Sequence, residues 1–149
     1  MKIATGSDHR GLHQRKIIGE TIAACGHDLN DVGTMTTESC DYPDIAKLVA
    51  QSVASGESQM GILVCGTGIG MSIAANKVKG VRAAVCNNPD QARLSRQHND
   101  ANVLCLPGDS FEEPAVRELV SLWLETQFEG GRHERRVEKV KQMEEKFGA

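Results

Sequence analysis

Cys65 closes the apolar run Gly61-Ile-Leu-Val-Cys65 and stands directly before Gly66-Thr-Gly-Ile-Gly70, where every second residue is glycine. Met71-Ser-Ile-Ala-Ala-Asn76 then reads as the start of a helix. A strand, a tight loop and a helix start in succession aim several backbone N–H groups at one point, which favours an anion there. The amides of Gly66, Gly68, Ile69 and Gly70 are the donors of such a cradle. A thiol at its lip adds chemistry, because a thiolate serves as a base or as a nucleophile. The blander reading is a small buried hydrophobe beside an ordinary turn. That blander reading is the expectation for Cys25, Cys40, Cys86 and Cys105.

The loop matches neither familiar phosphate motif. A dinucleotide fingerprint would need its third glycine at position 71, where Met71 stands, and a P-loop would need Gly-Lys followed by Ser or Thr. The placement of Cys65 favours function, since ligands of open α/β sheets bind at the C-terminal ends of the strands.

Other polar groups fall into three places. Asp8-His9 follows the first strand and shares the edge of Cys65. His9 and His13 are four apart, yet a metal site there lacks a third ligand of evident spacing, so a solvated helical turn is the simpler reading. His98-Asn99-Asp100 follows a helix and precedes a strand, which puts it at the edge opposite Cys65. It is either a plain turn or part of a site on a neighbouring molecule. Arg132 and Arg136 share one face of the last helix. They suit a phosphate, or else belong to a solvated face balanced by Glu134 and Glu138.

The elements that position these groups follow from patterning. Strands are expected at Lys2–Thr5, 27–32, Met60–Cys65, Val81–Cys86 and Asn102–Leu106, the third apolar enough to be covered on both faces. Helices are expected at 12–25, ended by Gly26; from Pro43 with a buried stripe of Ile45, Leu48, Val49 and Val53, ended by Gly56; and from Asn88-Pro89 through His98. A further helix opens on a Ser110/Glu113 capping box and carries Val116, Leu119, Val120, Trp123 and Leu124. Gly130-Gly131 breaks it, and a last helix over about 133–147 has Val137, Val140 and Phe147 inward. This alternation predicts an α/β fold: a single doubly wound, Rossmann-like three-layer domain over 1–149 with about five parallel strands.

The 149 residues suffice for one core, and 40% hydrophobic with 25% charged residues is ordinary for a globular chain. Aromatic content of 3% and a net charge of −3 argue against nucleic acid as a partner. No apolar run reaches membrane-spanning length and no signal-peptide pattern opens the chain, so no membrane partner is expected. An odd number of scattered cysteines without a CxxC fits a reduced, cytoplasmic protein.

Gly6-Ser-Asp-His-Arg-Gly11, Asp41-Tyr-Pro43, Cys65-Gly-Thr-Gly-Ile-Gly-Met-Ser-Ile-Ala-Ala-Asn-Lys77, Ser95-Arg-Gln-His-Asn-Asp100, Asn102-Val-Leu104 and Glu129-Gly-Gly-Arg-His133 together resemble the type B ribose-5-phosphate isomerases. These belong with the isomerases of ribose, allose, galactose and tetrose phosphates. The resemblance covers nearly the whole chain in order. It implies an aldose–ketose isomerase that needs no metal or organic cofactor, with ribose 5-phosphate to ribulose 5-phosphate as the leading reaction. By that likeness Cys65 moves the proton between C1 and C2 through an enediolate, Thr67 relays or stabilises protons on the two oxygens, and the Gly66–Gly70 amides hold the enediolate oxygen. His98 opens the furanose ring, Asp8 and Asn99 bind the sugar, and His9, Arg132 and Arg136 clamp the phosphate. It also implies a homodimer or tetramer with the last helix at the interface, and His98 and Asn99 completing the partner's site. One departure stands out. The family commonly has Gly-x-Arg after the Asn-Val-Leu strand, its arginine facing the phosphate, and here Asp109 takes that place. Isomerisation of another sugar phosphate, a Cys–His hydrolase and a non-catalytic phosphate-binding module are the alternatives.

Overall fold

A computed structural model describes residues 1–33 and 38–148. The strands are β1 (Lys2–Ser7), β2 (Asp28–Asp31), β3 (Met60–Cys65), β4 (Ala83–Val85) and β5 (Val103–Pro107), and the helices are α1 (Leu12–Ala24), α2 (Tyr42–Ala54), α3 (Ile69–Ala75), α4 (Pro89–Asn99), α5 (Glu113–Glu125) and α6 (Arg132–Phe147). All strand pairs are parallel, in the order β2-β1-β3-β5-β4. The central strand β3 is buried at all six positions, as its unbroken apolar character requires.

Alternation along the strands feeds two cores. Ile3, Ile62, Val64, Leu104 and Leu106 pack with Ile18 and Ile22 of α1 and with Leu119, Val120 and Trp123 of α5. Ala4, Leu63, Cys65, Val103 and Cys105 pack with Val49 and Val53 of α2 and Met71 and Ala75 of α3. Trp123 is fully buried, and its indole N–H donates to Ser95 Oγ of α4 at 3.2 Å. The chain leaves β1 to one side through α1 and returns to its other side through α2, so the strand order reverses between β1 and β3. That switch point is where an open α/β sheet leaves a crevice.

Several expectations need correction. Leu48 is exposed, and Ala46 and Ala50 share the buried stripe with Val49 and Val53, because the inner face of α2 is narrowed by close approach to the sheet. No capping box forms at Ser110: the N-cap is Glu112, and the Ser110 amide closes a turn on Pro107 O. Pro114 in the first turn fixes the later start. β4 is shorter than expected because side chains take its outer backbone groups. The Arg82 amide donates to Asn102 Oδ1 and the Ala83 amide to Asn76 Oδ1. On α6 only Val137 of the three inward residues is buried; Val140 and Phe147 are exposed beside Met143. Polar tethers, Glu144 to the Gly80 amide and Lys79 to Glu145, hold that end of the helix instead. Cys25 and Cys40 are half-buried, while Cys86 and Cys105 are core residues. In the sequence Gly33-Thr34 reads as the stop after the second strand, and Thr34 lies outside the described residues. Among the described residues no helix is long and apolar enough to cross a membrane.

Candidate active site

Cys65 ends β3 opposite Pro107 of β5, at the C-terminal edge of the sheet and 5% exposed. Its carbonyl accepts from the Gly108 amide at 2.8 Å, and the Gly66 carbonyl accepts from the Asp109 amide at 3.2 Å, so the loop after β5 lies directly on the glycine loop. Gly68 has φ +78° and caps α3 from the left-handed region, which glycine adopts without cost. Gly66 and Gly70 are small for another reason: a Cβ on Gly66 would lie 2.3 Å from the Arg10 guanidinium carbon, and one on Gly70 would lie 2.7 Å from the Tyr42 ring. The Thr67 hydroxyl accepts from the Ile69 amide at 3.2 Å, leaving Thr67 itself at the surface.

Asp8 and His9 arrive on the same edge from β1. Asp8 is buried, its carboxylate accepting from the Arg10 amide at 2.9 Å, and its own amide donates to Val64 O beside Cys65. His9 Nδ1 accepts from the Cys40 amide at 3.3 Å. The fold therefore brings Asp8, His9, Cys65 and residues 66–70 together. Burial pushes the thiols of Cys86 and Cys105 up, which leaves them protonated and inert.

His98, Asn99 and Arg136 lie elsewhere. They line an open cleft of about 970 Å³ between β4, the end of α4 and α6, and none of the residues of the Cys65 edge borders it. Here the His98 and His133 rings stack 4.0 Å apart at 11°. Burial, with His98 and Arg132 nearby, pushes the His133 imidazole below its ordinary value, against a smaller opposing effect of Glu129. The end of α4 is fixed by two arginines. Arg82 donates to the carbonyls of Asn99 and Asp100 and to the Asp100 carboxylate, and Arg96 to Asp100 Oδ1 at 2.9 Å and Ala101 O at 2.7 Å. Asp100 itself sits at φ +46°. Arg132 and Arg136 are exposed and make no ion pair with Glu134, Glu138 or any other described residue.

Ligand atoms of His98, Glu129 and His133 lie within 4.8 Å of one another.

Sequence reasoning passed over Arg10, Tyr42, Arg82, Arg96 and the stacking role of His133. Arg96 had a local signal, its i,i+4 spacing to Asp100. Arg82 with Asp100 and Arg10 with Asp109 are far apart in the chain and leave no spacing to find.

The Ribose/Galactose Isomerase family profile matches residues 3–140. Ribose-5-phosphate isomerase B of Escherichia coli is 46% identical over 145 residues, covering 97% of each chain. The ribose-5-phosphate isomerase B structure from Clostridium thermocellum superposes with a TM-score of 0.96 at 47% identity, over 99% of this chain and 100% of that one. The Mycoplasma genitalium enzyme, solved with bound ribulose 5-phosphate, superposes at 0.92 with 42% identity, over 97% and 96%. The chain belongs to the ribose/galactose isomerase family.

Proposed function

We infer that this protein is an aldose–ketose isomerase that interconverts ribose 5-phosphate and ribulose 5-phosphate. The observation that carries the reading is Cys65 at the switch point, beside a glycine loop, in a chain similar end to end to ribose-5-phosphate isomerase B.

The Cys65 thiolate removes the C2 proton of the open-chain aldose and returns it to C1, passing through an enediolate. Amides of residues 66–70 meet the negative oxygen as it forms, at about 3 kcal/mol per preorganised donor. Thr67 passes protons between the two oxygens. Asp8, fixed by the Arg10 amide, takes sugar hydroxyls, and His9 with Arg132 and Arg136 takes the phosphate. Ring opening requires a proton on the ring oxygen and loss of the anomeric hydroxyl proton, and His98 carries that transfer with Asn99 on the sugar.

The cleft that His98 lines takes none of its lining from Cys65 or its loop, so the reading needs a second subunit. In a homodimer, His98, Asn99, Arg132 and Arg136 of one chain complete the Cys65 edge of the other. Exposed Val140, Met143 and Phe147 on α6 are the apolar surface such an interface would cover. A reducing, cytoplasmic setting belongs to the same reading, in keeping with the free cysteines. Incubation with ribose 5-phosphate and detection of ribulose 5-phosphate is the direct test; full activity in Cys65→Ala would remove the assigned base.

A further inference from the structure

Asp109 stands where the resemblance leads one to expect a phosphate-facing cation, yet the structure supplies a cation at that spot from another loop. The Asp109 carboxylate is the counterion of the Arg10 guanidinium. That guanidinium lies flat on Gly66, close enough that a Cβ there would meet all three of its carbon and terminal nitrogen atoms at 2.3–2.6 Å. Asp109 is tied by its own amide to the Gly66 carbonyl, and the Arg10 amide holds Asp8. Acid and base thus frame the first residue after Cys65.

The pair is a poor structural staple. Its side chains are 53% and 43% exposed, and ion pairs that exposed contribute little to stability. A guanidinium also has five donors, of which one carboxylate uses at most two. The remainder face solvent at the mouth of the site.

We propose that Arg10 is a substrate-binding residue that contacts the phosphate on the Cys65 side, with Asp109 as its resting counterion. This rests on the sugar-phosphate isomerase reading. Asp109 balances the guanidinium in the empty site, and an arriving dianion takes over donors that the carboxylate held. Gly66 is required because a side chain there would lift the fork off the loop.

Calorimetric titration of the full-length protein with inorganic phosphate tests this, together with KM for ribose 5-phosphate. Arg10→Gln is expected to weaken phosphate binding and raise KM by a common factor of about tenfold, with kcat changed by less than about threefold. Arg10→Lys, which keeps the charge and loses the fork, should fall between. Asp109→Asn should tighten phosphate binding by roughly threefold, because the competitor loses its charge. Unchanged phosphate affinity in Arg10→Gln overturns the proposal, as does a drop in kcat and Tm with phosphate affinity unmoved. Equal or weaker binding in Asp109→Asn overturns the part given to Asp109. Phosphate binding is read without turnover, so a wild-type protein that binds phosphate but never isomerises ribose 5-phosphate defeats the isomerase reading alone.

Discussion

The Cys65 edge is shaped mostly by main chain, and the far end of α4 mostly by side chains. The first is set by a glycine at φ +78°, two close approaches that exclude a Cβ, and carbonyls of residues 65 and 66 bonded to the loop after β5. The second depends on a stacked imidazole pair and on Arg82 and Arg96 holding Asp100 in a conformation it would otherwise avoid. A main-chain site tolerates little but glycine and is stiff by construction. A side-chain site is only as rigid as its furthest anchor.

The sharpest way to break this division is to disable one region per subunit. Cys65→Ala and His98→Asn should each lower kcat by a factor on the order of a thousand and a hundred, respectively. Refolded together from an equimolar mixture, they should recover about a quarter of wild-type activity, since half the dimers are mixed and each holds one intact site. No recovery on mixing, with dimers verified, would place both residues in one subunit's site.

His98→Asn should also distinguish the two steps. Its loss on ring-forming substrates should exceed that on a tetrose phosphate, which has no furanose to open, by at least about tenfold. An equal loss on both would assign His98 to the proton transfer between C1 and C2.

Weakening the anchor of the second region gives a smaller effect. Arg82→Ala leaves the Asn99 and Asp100 carbonyls without their donor and should cost about 1–3 kcal/mol in urea unfolding. Inorganic phosphate affinity should drop with kcat if the Arg132 end moves too, whereas an intact kcat would show that His98 needs no clamp.

The smallest expected effect is on pH dependence. The native fold resists a proton on His133, whereas the unfolded chain accepts one near pH 6.5. Stability therefore falls as pH drops through about 6.5, until the native histidine also charges. His133→Phe keeps a stacking partner for His98 and should flatten that part of the urea-midpoint profile. An unchanged profile would put the pH dependence elsewhere.

What was readable in the sequence follows the same line. The glycine loop, the strand-end position of Cys65 and the Asn88-Pro89 helix start are local, and the fold realises them with the Asn88 side chain accepting from the Gln91 amide. The opposite-edge placement of His98 followed from counting strands and helices. Leu48, Val140 and Phe147 were misplaced because helical spacing finds an apolar stripe without saying what covers it. The Ser110 box failed because Pro114 dictates where α5 begins. Arg82 with Asp100 and Arg10 with Asp109 are joined only by the fold, and no local pattern announces them.

Trp123 is the sole tryptophan of the chain. Its ring is sealed from water, bonded to Ser95 and flanked by Arg96 at 5.9 Å, a few residues before His98 on the same helix. The protein thus carries its own fluorophore on α5, bonded to the helix that bears His98. Emission wavelength and quenching by acrylamide will report how firmly α4 is seated, without a label and in the same cuvette as the assay. Loosening of that helix would show as a red shift before any global unfolding is detected.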